Sequence, residues 1–232
     1  MFGKIAIAAG VAGSGYLAYH CYSPTSQQYG ATIHTCPDPQ CVALTYDDGP
    51  NDAYTEQLLS VLEQHHVKAT FFLIGKFVAM RPQLVRSIAA GGHLLANHTY
   101  THPNLLLSSS SQIRKQLADC STAIADAAGV KPSFFRPPFG ARRPAVLEIA
   151  RELGLEPVMW DVTCYDWRRT SADRVEQHAN RGIEQRGRGH IVLLHDGSHT
   201  KMGADRSHTI EATRRLLLRY AGSRSFRRID QI

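Results

Sequence analysis

Five cysteines in 232 residues are too few for a disulfide-held scaffold, so apolar packing must supply the core. The pair spaced to close a short loop is Cys36-Pro-Asp-Pro-Gln-Cys41, just before the first strand-like run. A zinc knuckle there would need a second close cysteine or histidine pair, which is missing. Cys120 falls on the apolar face of a helical pattern, and Cys21 and Cys164 have no assignable partner. Internal repeats are absent, and so is any RNA- or DNA-binding signature, which sets nucleic acid aside as a partner. The net charge of +6 still favours an anionic surface such as a cell-wall polymer or a membrane, although a merely solvated basic face explains it equally well. Arg214, Arg215, Arg219, Arg224, Arg227 and Arg228 concentrate that charge near the C-terminus.

Charge is also missing from Ile5 to Tyr19, directly after Lys4. A basic residue followed by an apolar run has the form of a secretory signal. No small-x-small cleavage site follows, and His20-Cys21 makes a poor lipoprotein box, so an uncleaved anchor is the alternative. The run is shorter than the roughly 20 residues that span a bilayer. Export is expected, with residues 1–22 as signal or membrane anchor and 23–35 as a polar tether. Residues 36–232 form one domain, since 43% hydrophobic content at this length suits a single α/β core.

Short apolar runs then alternate with helical patterns. Strands are predicted near 41–46, 69–74, 93–96, 133–136, 156–160, 190–194 and 226–230. Helices are predicted near 54–66, 81–90, 110–128, 144–153, 171–183 and 208–220. The helix at 110–128 is the clearest, with Ile113, Leu117, Cys120 and Ile124 at helical spacing and a Ser109/Gln112 capping box. Such alternation indicates a parallel sheet. The chemistry-bearing residues all follow strand ends: Asp47-Asp48, then His98 and His102, Arg136, Asp161 and Asp166, and His195. In a barrel those ends open on one face, which favours a barrel with a single active site.

An acidic pair at a strand end can give one carboxylate to a metal and keep the other as a base, and two histidines four apart complete a His-His-Asp site. Five segments in this order resemble the NodB-like polysaccharide deacetylases, carbohydrate esterase family four. They are Thr45-Tyr-Asp-Asp-Gly-Pro50, His98-Thr-Tyr-Thr-His102, Arg136-Pro-Pro-Phe-Gly140, Asp166-Trp167 and Leu193-Leu-His195. The likeness runs from about residue 36 onward, and the ordered set is specific where any one segment is not. It implies a distorted (β/α) barrel of about seven parallel strands. Tyr46 and Phe139 stand where the family often has Phe and Tyr, changes expected to touch the substrate surface but not the chemistry.

By that resemblance Asp48, His98 and His102 hold a divalent metal, zinc by default, with Co2+, Ni2+ or Mn2+ also compatible with nitrogen and oxygen donors. Asp47 is the general base that takes a proton from a water acidified by the metal, and Arg136 holds it in place. The backbone N–H of Phe139 faces the developing oxyanion. His195 is the general acid, oriented by Asp166, with Asp161 a weaker candidate. Trp167 and Leu193 line an acetyl-methyl pocket, Tyr46 and Phe139 border the substrate, and Tyr100, Tyr165 and Trp160 stack on sugars or belong to the core. Each has a plainer alternative: two histidines of a surface turn, an ordinary salt bridge for Arg136, a core histidine for His195. The function implied is removal of N-acetyl groups from an acetylated amino-sugar polymer, chitooligosaccharide or peptidoglycan, by a monomer. O-acetyl ester hydrolysis on xylan, a non-catalytic glycan-binding protein and a metal-binding envelope protein are the alternatives.

Overall fold

Nine consecutive residues, Cys41–Gly49, are buried at every position, as expected of a strand covered on both faces in a largely parallel sheet. In the computed structural model, which describes residues 15–185 and 187–232, this strand (β2) lies at the centre. The others are β1 (Thr35–Cys36), β3 (Thr70–Leu73), β4 (Leu94–Asn97), β5 (Phe134–Phe135), β6 (Glu156–Pro157), β7 (Val162–Thr163), β8 (Gly189–His195) and β9 (Ser225–Phe226). Between them run α1 (Tyr54–Gln64), α2 (Gly75–Met80), α3 (Pro82–Ala90), α4 (Ser110–Ala128), α5 (Pro144–Glu152), α6 (Ala172–Ile183) and α7 (Ser207–Tyr220).

Strand order is β1-β8-β2-β3-β4-β5-β6, with β7 also on β8 and β9 also on β2. Among the described strands only the β1–β8 pairing is antiparallel. The sheet curls into a half-barrel. Alternation along β2 sorts its side chains: Val42, Leu44 and Tyr46 pack outward against α1, α6 and α7, while Cys41 and Ala43 join Phe72, Ala96 and Leu193 in the interior. α4 has the expected capping box at Ser109 and Gln112 and ends at Gly129 in the left-handed conformation.

Every predicted strand and helix has a counterpart within a few residues. β1, β7 and α2 were not foreseen, being only two to six residues long.

Two expectations need correction. The segment read as a tether is docked: Ile33 bridges to Val158, and Thr35–Cys36 pair with β8. It fills the seam between the β6 end and β8. Arg142, 1% exposed, clasps it by donating to the carbonyls of Ser23 and Ser26 at 2.5 and 2.7 Å. Polar composition misled here because the partners of these residues are backbone groups far along the chain. The second correction concerns Cys36 and Cys41, which are buried free thiols and not a disulfide. They flank Gly189 on β8, where an added Cβ would lie 2.7 Å from both the Cys36 Cβ and the Cys41 carbonyl. The Cys36 thiol donates to the His190 carbonyl at 3.4 Å. Residues 1–14, most of the expected signal or anchor, lie outside the described residues; among those described, no helix is long and apolar enough to cross a membrane.

Replacing Arg142 with Ala leaves these carbonyls without a charged donor. It should lower stability by about 2–3 kcal/mol and speed proteolysis between residues 23 and 32. An unchanged melting temperature and cleavage pattern would show that the segment is a free tether after all.

Candidate active site

Neighbouring residues on a regular strand point to opposite faces, so Asp47 and Asp48 should not reach the same ligand. They do, because β2 is bulged. Its register against β3 slips between Asp47 and Gly49, and Asp48 adopts φ 72°, a conformation costly for a residue with a Cβ. Asp47 Oδ2 and Asp48 Oδ1 thereby approach the same imidazole nitrogen, His98 Nε2, at 3.7 and 3.6 Å.

His98 follows β4, and its Nδ1 meets the Arg136 carbonyl at 2.8 Å, which leaves Nε2 as the unprotonated donor. The turn to His102 has positive φ at Thr99 and His102. It is held by Asn97 Oδ1, which accepts from Thr99 N, and by Gln116 Oε1 of α4, which accepts from Tyr100 N and Thr101 N. His102 Nε2 ends 3.3 Å from Asp48 Oδ1.

Arg136 is fully buried. One guanidinium nitrogen donates to Asp47 Oδ1 at 2.7 Å and Thr45 Oγ1 at 2.8 Å, the other to the Met159 carbonyl at 3.0 Å. The group lies 4.0 Å from the centre of the Phe72 ring. Burial raises Asp47 above the usual carboxylate range, with Arg136 and His195 opposing.

Beside Asp47, His195 is the last residue of β8 and pairs with it in register. Asp166 receives both its backbone N–H at 2.7 Å and its Nδ1 at 2.9 Å, and also accepts from Thr209 Oγ1. Burial alone would lower His195, but the Asp166 charge and hydrogen bond, joined by Asp48 and Asp47, lift it to about 9.

Asp47, Asp48, His98, His102 and His195 line a cavity of about 300 Å³ together with Phe139, Trp160, Trp167 and Leu193. Trp167 stands 5.2 Å from the His195 ring and Tyr165 is exposed beside it. Trp160 is buried and donates to Thr163 Oγ1, whereas Tyr100 packs over Gly75, away from the cavity lining.

Two candidates lie elsewhere. Tyr46 is fully buried on the outer face of β2, bonded to Thr213 Oγ1 at 3.0 Å and stacked on Phe71. It cannot border a substrate, because strand alternation turns it away from Asp47. Asp161 bonds His190 Nδ1 at 2.8 Å and Ile191 N at 2.9 Å, at the start of β8 and far from His195 at its end.

Sequence reasoning missed His199 and Asp196. His199 N donates to Asp48 Oδ2 at 3.2 Å, and its ring stacks on His102. Its place four residues after His195, the spacing of His98 and His102, was the available signal. Asp196 is buried, accepts from Thr55 Oγ1 at 2.5 Å, and burial pushes it up to about 7.

The donor set fits a cation. Among the described residues, the buried side-chain atoms without a partner are Asp48 Oδ1, His102 Nδ1, Arg136 Nε and Asp196 Oδ1. All four lie in or beside this cavity, and such orphans call for explanation. Burial lowers His98 to about 4 and His102 to about 3, keeping both imidazoles in the neutral, metal-binding form. Two ligands about 2.1 Å from one zinc ion lie roughly 3.4 Å apart at the tetrahedral angle; the observed Asp48–histidine separations of 3.3 and 3.6 Å match. Among the described residues, the trio whose ligand atoms all lie within 4.8 Å of one another is Asp48, His102 and His199, with His98 meeting it through Asp48.

Residues 34–158 match the polysaccharide deacetylase family. The chain belongs to that family. It is 42% identical over 157 residues to a chitooligosaccharide deacetylase of Bradyrhizobium, covering 67% of this chain and 70% of that one. It is 38% identical over 166 residues to a peptidoglycan-N-acetylglucosamine deacetylase of Bacillus cereus, covering 71% and 59%. Among solved structures it resembles a CE4 family pseudoenzyme from Bacillus anthracis, with TM-score 0.74, 32% identity, and 87% and 68% coverage. A polysaccharide deacetylase fold therefore does not by itself guarantee turnover, and the site must decide it.

In the metal-free protein, Asp166→Asn should drop the His195 pKa from about 9 to near or below the ordinary value of about 6.5, read by NMR titration of the imidazole. Because the folded value is raised, the pair's stabilisation is complete below about pH 6.5 and is lost as pH rises through about 9. A His195 that titrates identically in both proteins would show that Asp166 does not set it.

Proposed function

We propose that this protein is a metal-dependent N-deacetylase of an acetylated amino-sugar polymer. The observation that carries the reading is the pairing of an Arg136-held Asp47 with an Asp166-held His195, in register on neighbouring strands beside Asp48, His98 and His102. Asp48, His98 and His102 would hold the divalent cation, zinc by default. When bound it supplies Lewis acidity, acidifying a water and polarising the acetyl carbonyl.

The chain's own residues carry the protons. Arg136 occupies Asp47 Oδ1, so Oδ2 is the atom free to take a proton from the attacking water. Burial makes that carboxylate a stronger base than usual. Asp166 occupies His195 Nδ1, which sets the transferable proton on Nε2. As the C–N bond breaks, Nε2 gives its proton to the departing sugar nitrogen, and acetic acid and the free amine result, which leave in water as acetate and ammonium. Asp47 then passes the proton it took from water to His195 through solvent, restoring both groups. The Phe139 N–H is the proposed oxyanion donor; its residue sits at φ 59° on the turn after Arg136. Leu193 and Trp167 bound the space for the acetyl methyl, worth about 0.8 kcal/mol per buried carbon.

The relatives act on chitooligosaccharide and on peptidoglycan; the net charge of +6 favours anionic peptidoglycan here. Export, with secretion or anchoring at the envelope, is supported by the uncharged run Ile5–Tyr19.

Acetate release from chitin oligomers, peptidoglycan and acetylated xylan tests this reading, with chelation abolishing it and divalent metal restoring it. Asp47→Asn should retain metal and lose turnover by about 10²–10⁴-fold, whereas His98→Ala should lose both. Near-normal turnover in Asp47→Asn would remove the base from its role. Release from xylan alone would make the protein an O-acetyl esterase, and none from any substrate a non-catalytic glycan-binding protein. Turnover should fall at alkaline pH, where His195, lifted above its ordinary value by Asp166, loses its proton.

A further inference from the structure

We propose that His199 is a fourth protein ligand of the metal centre, carried into place by the β8–α7 loop. The inference rests on reading Asp48, His98 and His102 as a metal site. His199 belongs to none of the five segments that carry the family resemblance.

The loop is fixed where it meets Asp48. The His199 N–H donates to Asp48 Oδ2 at 3.2 Å, and Lys76 Nζ holds the His199 carbonyl at 2.8 Å. Gly197 passes so close that a Cβ there would stand 2.1 Å from the Asp48 carbonyl; only glycine permits that approach. Ser198 and Thr200 bond each other through their hydroxyls at 2.9 Å.

The imidazole itself faces the centre. Its Nδ1 is 3.7 Å from Asp48 Oδ2, and its ring lies 4.4 Å from that of His102 with 17° between planes. Phe139 sets its edge against both rings, at 4.6 and 5.5 Å. Ligand atoms of Asp48, His102 and His199 fall within 4.8 Å of one another, and Asp48 Oδ1 and His102 Nδ1 are buried without partners. With its side chain 39% exposed, His199 borders the centre on the solvent side. Its addition turns a two-nitrogen, one-oxygen donor set into three nitrogens and one oxygen, which zinc or nickel holds in a five- or six-coordinate shell that keeps a position for water.

The test is metal affinity, which needs no turnover. Competition against a chromophoric chelator should give Zn2+ binding about 10–100-fold weaker in His199→Ala and His199→Gln than in the unsubstituted protein. His199→Asp, which restores a ligand, should recover much of the loss. The visible spectrum of the Co2+-loaded protein should change with the same variants. The melting temperature of the metal-free protein should not, since the side chain is half exposed. Equal Zn2+ affinity and an unchanged Co2+ spectrum would overturn the proposal even if turnover fell, for His199 would then contact substrate only. If the unsubstituted protein binds no metal at all, the underlying site reading fails and this one with it. If His98→Ala loses metal while His199→Ala does not, only the fourth ligand is refuted.

Discussion

A buried guanidinium organises this molecule. Arg136 has no exposed surface, and burying a lone charge is prohibitive unless it is paired and hydrogen-bonded. Its two terminal nitrogens bond Thr45 and Asp47 of β2 and the Met159 carbonyl after β6, and it lies over Phe72 of β3. Its backbone continues the network: the N–H donates to Asn97 of β4, and the carbonyl fixes His98. One residue thus sets the carboxylate on one side of the centre and an imidazole on the other. Taking it away would strand Asp47 as a buried unpaired charge, a defect of about 3–5 kcal/mol. The arrangement is oriented before any ligand arrives, which is what electrostatic catalysis requires.

The bulge at Asp48 is the second constraint. Two adjacent carboxylates serve one site only because the strand breaks its alternation there, and a positive φ at a non-glycine residue must be held by its surroundings. Asp196 and Gly197 do this from β8's continuation. Asp196 Oδ2 would lie 2.4 Å from a Cβ on Gly49, and Gly197 N donates to the Asp47 carbonyl. The proximity of a pseudoenzyme to this fold fits the same logic: the barrel positions the groups, and a few side chains decide whether they act.

Much of this could be read from residues alone, because the relevant signals are local. Strand and helix periodicity placed the main elements, and the position of Asp47, His98, Arg136, Asp166 and His195 at strand ends put them on one face. Failures came where the answer depends on contacts distant in the chain. Tyr46 was assigned to the substrate surface because it departs from the pattern of the family segment it lies in, yet strand alternation sends it into the core. The segment 23–35 has too little apolar content to advertise its docking, which runs through backbone bridges and Arg142. Cys36 and Cys41 have the spacing of a pair but sit on β1 and β2 around Gly189 as separate thiols. His199 and the bulge escaped notice because neither periodicity nor composition records where a loop folds back.

The most direct measurement is a crystal structure of the protein soaked with Zn2+, with the ion located by anomalous diffraction at the zinc edge. The account predicts one ion bound by Asp48, His98 and His102, joined by His199, with Asp47 still on Arg136 and outside the ligand set. An ion bound elsewhere, or an Asp47 swung off Arg136 to become a ligand, would contradict it.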